Sequence, residues 1–307
     1  MTPTTPGTSA LGEFLSTRRA QLTPADLGLP EYGDRRRVPG LRREEVAQLA
    51  GVSVAYYTRL ERGASRGASA QVLDALACAL DLDEAERRHL HGLSGDGRRR
   101  TPRRRSAERV TAAMRQLMDT FGDAPAILLG RSSDVLAWNR SGHALFAGHL
   151  DFAGPDRTGE RPNTARLVFL DAHTRELYDA DWPRKARDVV GKLRAASGED
   201  PGDPRLASLI GELTMGSPQF AALWAEHRVR AWDLAEYRMH HPVVGTMAVL
   251  QHSMPVPRGA GARLVVVTAQ PGSDSQAALR LLAHAAHTDT DTDTAETTTA
   301  RSVATRI

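Results

Sequence analysis

The first clear hydrophobic rhythm follows a polar leader of about ten residues. In LGEFLSTRRAQL, Leu11, Phe14 and Leu15 fall on one side of a helix and the charges on the other. From Leu41 to Gly63 the chain reads LRREEVAQLAGVSVAYYTRLERG. There Val46, Ala47, Leu49 and Ala50 form an apolar stripe at helical spacing, while Glu44, Glu45 and Gln48 stay on the wet side. Gly51 stands at a sharp turn that favours a residue free to adopt positive φ, and Ser53 is set to cap the next helix through its hydroxyl. In that helix Tyr57 and Leu60 recur on the face toward the first one, leaving Val54, Ala55, Tyr56, Arg59 and Arg62 outside. A helix from about Ser69 to Leu80 follows, with Val72, Leu73, Leu76, Ala77 and Leu80 inward. Then comes DEAERRHLHGL, started by Asp83 with Glu86 three residues on.

Periodicity stops between residues 95 and 106, where six arginines surround Thr101-Pro102, and this stretch reads as a basic linker. A second domain is expected over 107–285. It opens with a helix carrying Val110, Met114, Leu117, Met118 and Phe121 on one face, then a strand hairpin, AILLG and VLAWN about the turn RSSD. Four helical stretches follow, NTARLVFLDAHTRELY, WPRKARDVVGKLRAASG, DPRLASLIGELTM and SPQFAALWAEHRV, the last with Ser217-Pro218 as cap and first-turn residue. Two more strands, VGTMAVLQHSMPVP and RLVVVTAQPG, and a final helix, SDSQAALRLLAHAA, close the domain, and the low-complexity tail, 286–307, reads as disordered.

The string A-x-x-A-G-V-S from Ala47, the exit Tyr57-Thr-Arg-Leu-Glu-Arg-Gly63 and the flanking helices together resemble the lambda-repressor-like, xenobiotic-response-element (XRE) family of DNA-binding domains over Leu11 to Ser94. The resemblance implies that Val54, Ala55, Tyr56 and Arg59, with Ser53 at the head of their helix, look toward the major groove, and Arg42, Arg43 and Arg62 toward phosphates. It also implies that Arg19 pairs with Glu61; two solvated charges are the alternative. The Pro/Gly-rich loop from Thr23 to Gly40, with Arg35, Arg36 and Arg37, departs from the family's compact pattern. Farther on, AILLGRSSDVLAWN, NTARLVFLDAHTRELY, SPQFAALWAEHRV and HPVVGTMAVLQHSMPVP resemble the ligand-binding domain of MmyB-like transcription regulators, from Ala107 to Ala285. That likeness implies a PAS-like sensory domain and a fatty-acid-like ligand. The expected architecture is therefore two domains, an all-α lambda-repressor-like helix-turn-helix domain (11–94) followed by an α+β PAS-like sensory domain (107–285).

Charge sharpens this division. Residues 1–106 hold 18 arginines against 13 acidic residues, net +5, and the remainder carries −2 of the chain's total of +3. The surplus sits in the half expected to meet double-stranded operator DNA. Lysine occurs only at 185 and 192. No apolar run approaches the ~18 residues of a spanning helix, and the N-terminus lacks the pattern of a secretion signal, so a cytoplasmic location is expected. The single Cys78 lies inside an apolar helical pattern and reads as buried filler.

Motifs for catalysis or cofactors are missing from the sequence. It has no Walker loop, G-x-S-x-G elbow or H-E-x-x-H, and GAGA at 259–262 lacks the context of a dinucleotide fingerprint, so neither an enzyme nor a cofactor is expected. The pairs His89/His91 and His240/His241 have no carboxylates or thiols at metal-ligand spacing. Among large apolar residues, Leu128, Trp138, Leu145, Phe146, Phe169, Phe220 and Trp224 are candidates to line a pocket, with core packing the alternative for each. Asn139 and Arg230 are candidate anchors for a carboxylate, and His241 is either a ligand contact or a structural hydrogen-bonder. The functional expectation is a homodimeric regulator with an apolar effector. A docking or dimerisation module, or an enzyme tethered to DNA, are the competing readings of the second domain.

Overall fold

The computed structural model describes residues 9–28, 40–64, 68–94, 108, 110–200, 202–226, 233–257 and 261–288. The Arg35–Arg37 loop, the six-arginine linker, Arg230 and the chain beyond residue 288 lie outside the described residues, as does the leader up to residue 8. Contacts group the chain into two compact units, Met1–Arg105 with Val190–Ala231, and Ser106–Val189 with Trp232–Ile307. The described residues between 190 and 226, which the sequence places in the second domain, group by contact with the N-terminal helices.

The first unit begins with α1 (Ala10–Gln21), α2 (Arg43–Leu49), α3 (Val54–Glu61), α4 (Ala70–Ala79) and α5 (Glu84–Ser94). Side-chain caps start them as the sequence predicts: Ser53 Oγ accepts from the Tyr56 amide at 3.1 Å, and Asp83 and Glu86 form a reciprocal box at 2.8 and 3.1 Å. Gly51 supplies the turn between α2 and α3 with φ of 63°. The core gathers Phe14, Leu15, Leu41, Val46, Tyr57, Leu60, Leu76 and Leu90, all at 0 or 1% exposure. Three expectations are corrected. Leu49 is 41% exposed, because on so short a helix Val46, Ala47 and Ala50 already fill the inward sector. Cys78 is exposed on the outer side of α4, where the Arg87 guanidinium donates to its sulfur at 3.2 Å. Leu117, in the second unit, is 44% exposed, since Met118 of the same helix takes the inward position.

Gly12 sets how closely α1 approaches α3. A Cβ at this position would stand 2.1 Å from the Glu61 carbonyl oxygen, a distance no real contact reaches. Gly12→Ala gains about 1 kcal/mol of intrinsic helix propensity and should still cost about 1–3 kcal/mol net, because the backbone of α3 must move to admit the methyl. Thermal unfolding of the variant reads this directly as a lowered Tm.

The second unit contains α6 (Ala112–Thr120), β1 (Ala126–Leu129), β2 (Val135–Trp138), α7 (Arg140–Ala147), α8 (Thr164–Leu170), α9 (Ala172–Tyr178) and the first half of α10 (Trp182–Glu199). The chain then runs through α11 (Pro204–Gly216) and α12 (Pro218–Ala225) of the first unit. It returns as β3 (Leu234–His241), β4 (Gly245–Pro255), β5 (Arg263–Thr268) and a last helix, α13, over 274–288. The five strands form one antiparallel sheet in the order β2-β1-β5-β4-β3. Only four strands were expected. The missed one, β3, alternates without exception, Ala235, Tyr237, Met239 and His241 buried and the residues between them exposed. The last helix continues to 288, past the expected start of the tail at 286.

Strand composition follows burial. In β1 and β2 every residue is buried, and AILL and VLAW are accordingly apolar throughout. Leu128, Leu136, Leu264 and Val266 pack with Met118 and Phe121 on one face; Ile127, Leu129, Val135 and Val265 pack with Phe146 and Ala147 on the other. Strands β3 and β4 bury only one face, which leaves Glu236, Ala248, Leu250 and His252 in the outward phase.

Candidate nucleic-acid interface and ligand cleft

A buried carboxylate organises the helix-turn-helix. Glu61, at the end of α3 with its side chain 2% exposed, receives Arg19 Nε of α1 at 2.6 Å and Arg43 Nε of α2 at 2.5 Å. Arg19 also donates to the Leu41 carbonyl at 2.8 Å, so one guanidinium ties α1 to the chain entering α2. Burial alone pushes the Glu61 carboxyl up, and the hydrogen bonds and charges of Arg19 and Arg43 more than reverse it, holding it below the usual carboxylate range. Burial drives the neighbouring Tyr57 hydroxyl well above the usual phenol range. The expected Arg19–Glu61 pair is present, and Arg43, assigned from the sequence to phosphates alone, is a second arm of the same clamp with 43% of its side chain still exposed.

The clamp fixes the outer face of α3. Val54 is 41% exposed, Ala55 and Arg59 are exposed, Tyr56 is half-buried, and Ser53 and Arg62 sit exposed at the two helix ends. The Arg59 guanidinium lies 5.6 Å from the Tyr56 ring centroid, a cation–π contact that aligns it along the face. Arg42 heads α2, exposed, with its backbone amide held by Glu45 Oε2 at 2.7 Å. All eight sequence-chosen DNA residues therefore fall on α3, its ends or the adjoining start of α2.

The sequence-chosen ligand residues scatter. Leu128 is core. Trp138 is 8% exposed, its indole donating to the Phe152 carbonyl at 2.8 Å, and Phe146 packs beside it. Phe169 meets Trp182 edge-on at 5.9 Å. Asn139 spends its amide on the fold: Oδ1 accepts from the Ala126 and Gly142 amides at 2.9 and 2.8 Å, and Nδ2 donates to the Ala124 carbonyl at 2.8 Å. Trp224 belongs to the first unit, stacked on Phe220 at 5.7 Å and under the Arg194 guanidinium at 4.0 Å. His241, 4% exposed, accepts from the Val243 amide through Nδ1 at 3.2 Å, so its Nε2 carries the proton facing the Ala144 carbonyl at 3.1 Å.

This arrangement requires a neutral imidazole. Burial lowers the pKa of His241, and likewise of His143, bound to the Leu150 carbonyl at 2.8 Å, and of His149, whose ring lies tilted against that of His173 at 4.1 Å. A histidine depressed on folding binds fewer protons in the native state. Its contribution is complete above the unfolded value near 6.5 and is lost as pH falls from there toward the folded value, at most about 1.4 kcal/mol per pH unit for one group. Urea midpoints for the second unit should fall between pH 7.5 and 5.5, and His241→Gln, whose amide retains a donor, should flatten that slope.

A cleft of about 780 Å³ opens on the outward phase of β3 and β4. Ala248 and Leu250 form its floor with Glu236 and His252 beside them, Leu279 and Arg280 of α13 form a wall, and Asp123–Pro125 closes one end. Ser275 Oγ ties α13 to the sheet by accepting from the Ala248 amide at 3.0 Å. Sequence reading passed over this surface because β3 was not recognised; small and apolar residues in the outward phase of β4 were the available signal.

On the opposite face lies a buried polar network that sequence reading also missed. Lys185 Nζ donates to Gln251 Oε1 at 2.8 Å and stands 4.9 Å from the ring centroids of both Tyr178 and Tyr237. Gln251 Nε2 donates to the Tyr178 hydroxyl at 2.9 Å, and the Tyr237 hydroxyl donates to Asp188 at 2.6 Å.

An outward recognition helix locked by a buried ion-pair clamp defines a helix-turn-helix DNA-binding protein. A helix-turn-helix domain family model matches residues 10–90, and the model described as MmyB-like transcription regulator ligand binding domain matches residues 110–282. The chain belongs to the MmyB-like transcription regulator family, with a DNA-binding unit and a ligand-binding domain on one polypeptide. No curated protein matches it.

Proposed function

We propose that the protein is a cytoplasmic, homodimeric regulator of the lambda-repressor-like XRE kind, without catalytic activity, whose affinity for a pseudo-palindromic operator is set by a fatty-acid-like effector. The five-stranded antiparallel order β2-β1-β5-β4-β3, with α7, α9 and α10 on the face that carries Ile127, Tyr237 and Gln251, supports a PAS-like reading of the second unit. The observation that carries the effector class is the cleft of about 780 Å³, whose apolar floor of Ala248 and Leu250 runs beside Leu279 and Arg280, with Glu236 and Asp123 also on its lining; its volume is within the usual range for small-molecule sites. In this reading an alkyl chain runs along Ala248, Leu250 and Leu279, and its carboxylate meets Arg280. Among the described residues no helix is long and apolar enough to cross a membrane.

Organic-solvent extraction of the purified protein followed by mass spectrometry tests occupancy, and titration with tetradecanoate and 1-tetradecanol tests the anchor. Arg280→Ala is expected to weaken tetradecanoate about tenfold and the alcohol less than threefold. A folded protein that yields no extracted amphiphile and binds neither compound contradicts the sensor reading in favour of a docking module.

A further inference from the structure

The unit boundary falls between Val189 and Val190, inside a single uninterrupted helix, α10. The two halves of that helix do different work. Toward its N-terminal end, Lys185 and Asp188 reach the sheet through Gln251 and Tyr237, both at 0% exposure. These are hydrogen bonds between buried partners, which rigidify only while every member is satisfied.

The C-terminal half is built into the DNA-binding unit. Ala195 packs against the core formed by Phe14, Leu15 and Leu90. Gly198 meets the His89 ring so closely that a Cβ there would stand 2.1 Å from Nδ1, and a Cβ on Gly92 of α5 would stand 2.7 Å from the Gly198 carbonyl oxygen. The following helices extend the attachment: Gln21 Nε2 of α1 donates to the Glu226 carbonyl beyond α12 at 2.9 Å. Burial lowers the pKa of Arg194 to about 10, with Glu13 of α1 as its opposing charge. Apart from Gly92, these residues fall within the stretch matched by the ligand-binding family or within the helix-turn-helix match itself.

We infer that α10 is the element through which the ligand-binding domain acts on DNA binding, with the Lys185–Gln251–Tyr178 and Asp188–Tyr237 bonds as the latch at its sensing end. This rests on the regulator reading above and names its route of regulation. A continuous α-helix holds its residues in fixed register through its backbone hydrogen bonds, so its two halves move together. A shift at the latch therefore changes the seat of α1 and α5, and with it the helices that Glu61 clamps to α1.

The test uses the full chain and an operator selected by it from random DNA. Lys185→Met and Tyr237→Phe should each change operator Kd at least fivefold, while Arg187→Ala, on the exposed side of α10, stays within twofold. By reciprocity, operator binding to the unaltered protein should change amide exchange in α9, β3 and β4. Variants that keep the exchange protection of β4 yet bind operator within twofold of the unaltered chain, together with exchange in α9, β3 and β4 that ignores operator, overturn the proposal. If Lys185→Met does not fold, Tyr237→Phe, which removes one hydroxyl, and the exchange measurement on the unaltered protein decide. A chain that selects no DNA sequence fails the regulator reading instead, before the latch is examined.

Discussion

Replacing Glu61 with alanine should lower the stability of the DNA-binding unit by about 3–5 kcal/mol, the cost of removing one partner from a buried ion pair. The reason is geometric. Arg19 is only 12% exposed, and without Glu61 its Nε loses its partner, while Arg43 loses the anchor that draws α2 onto α3. Glu61→Gln retains an acceptor and part of the packing, so it should fall between the alanine variant and the unaltered protein. Because the folded carboxyl is held below its ordinary value, its stabilisation is present above about pH 4.5 and lost as pH falls through the folded value. Denaturant unfolding of the full chain followed by exchange protection in α1 and α3 reads the effect. Protection that stays equal in the alanine variant contradicts the clamp.

Arg59→Ala should lose about 1–3 kcal/mol per half-site, or about 2–6 kcal/mol for a twofold operator, and relax base preference at the contacted position. Arg59 is exposed, no acidic side chain among the described residues holds it, and Tyr56 aligns its guanidinium for a bidentate contact to guanine. Arg42→Ala should weaken all DNA sequences alike and reduce the salt dependence of binding, as a phosphate contact does. Competition binding with specific and random duplexes separates the two. Equal losses on both duplexes for Arg59→Ala make Arg59 a phosphate contact as well.

What sequence patterning reveals here is local. The inward and outward faces of α3 follow from helical spacing, Ser53 and Asp83 cap as their positions predict, and the hairpin of β1 and β2 follows from two short apolar runs about a turn. Features decided by distant partners are not legible in that way. Strand β3 is rich in charged and histidine residues, and the buried His241 donates a hydrogen bond to the carbonyl of Ala144, 97 residues away. Lys185 and Gln251 are 66 residues apart, and nothing within either segment announces the other. Likewise, α11 and α12 have the patterning of any amphipathic helices, so their membership of the first unit depends on which surface receives them. Arg43 shows the same limit at the interface: its exposure is compatible with a phosphate, and its bond to Glu61 appears only once α2 and α3 are packed.

If effector and operator read one conformational equilibrium, linkage makes that measurable in a single experiment. Operator affinity is determined with and without saturating tetradecanoate at fixed salt, and tetradecanoate affinity with and without operator. The two ratios should be equal and differ from one by about 5- to 150-fold, the range of typical coupling free energies. Tetradecanoate affinities that are the same with and without operator contradict the account and leave the cleft a lipid site with no hold on DNA binding.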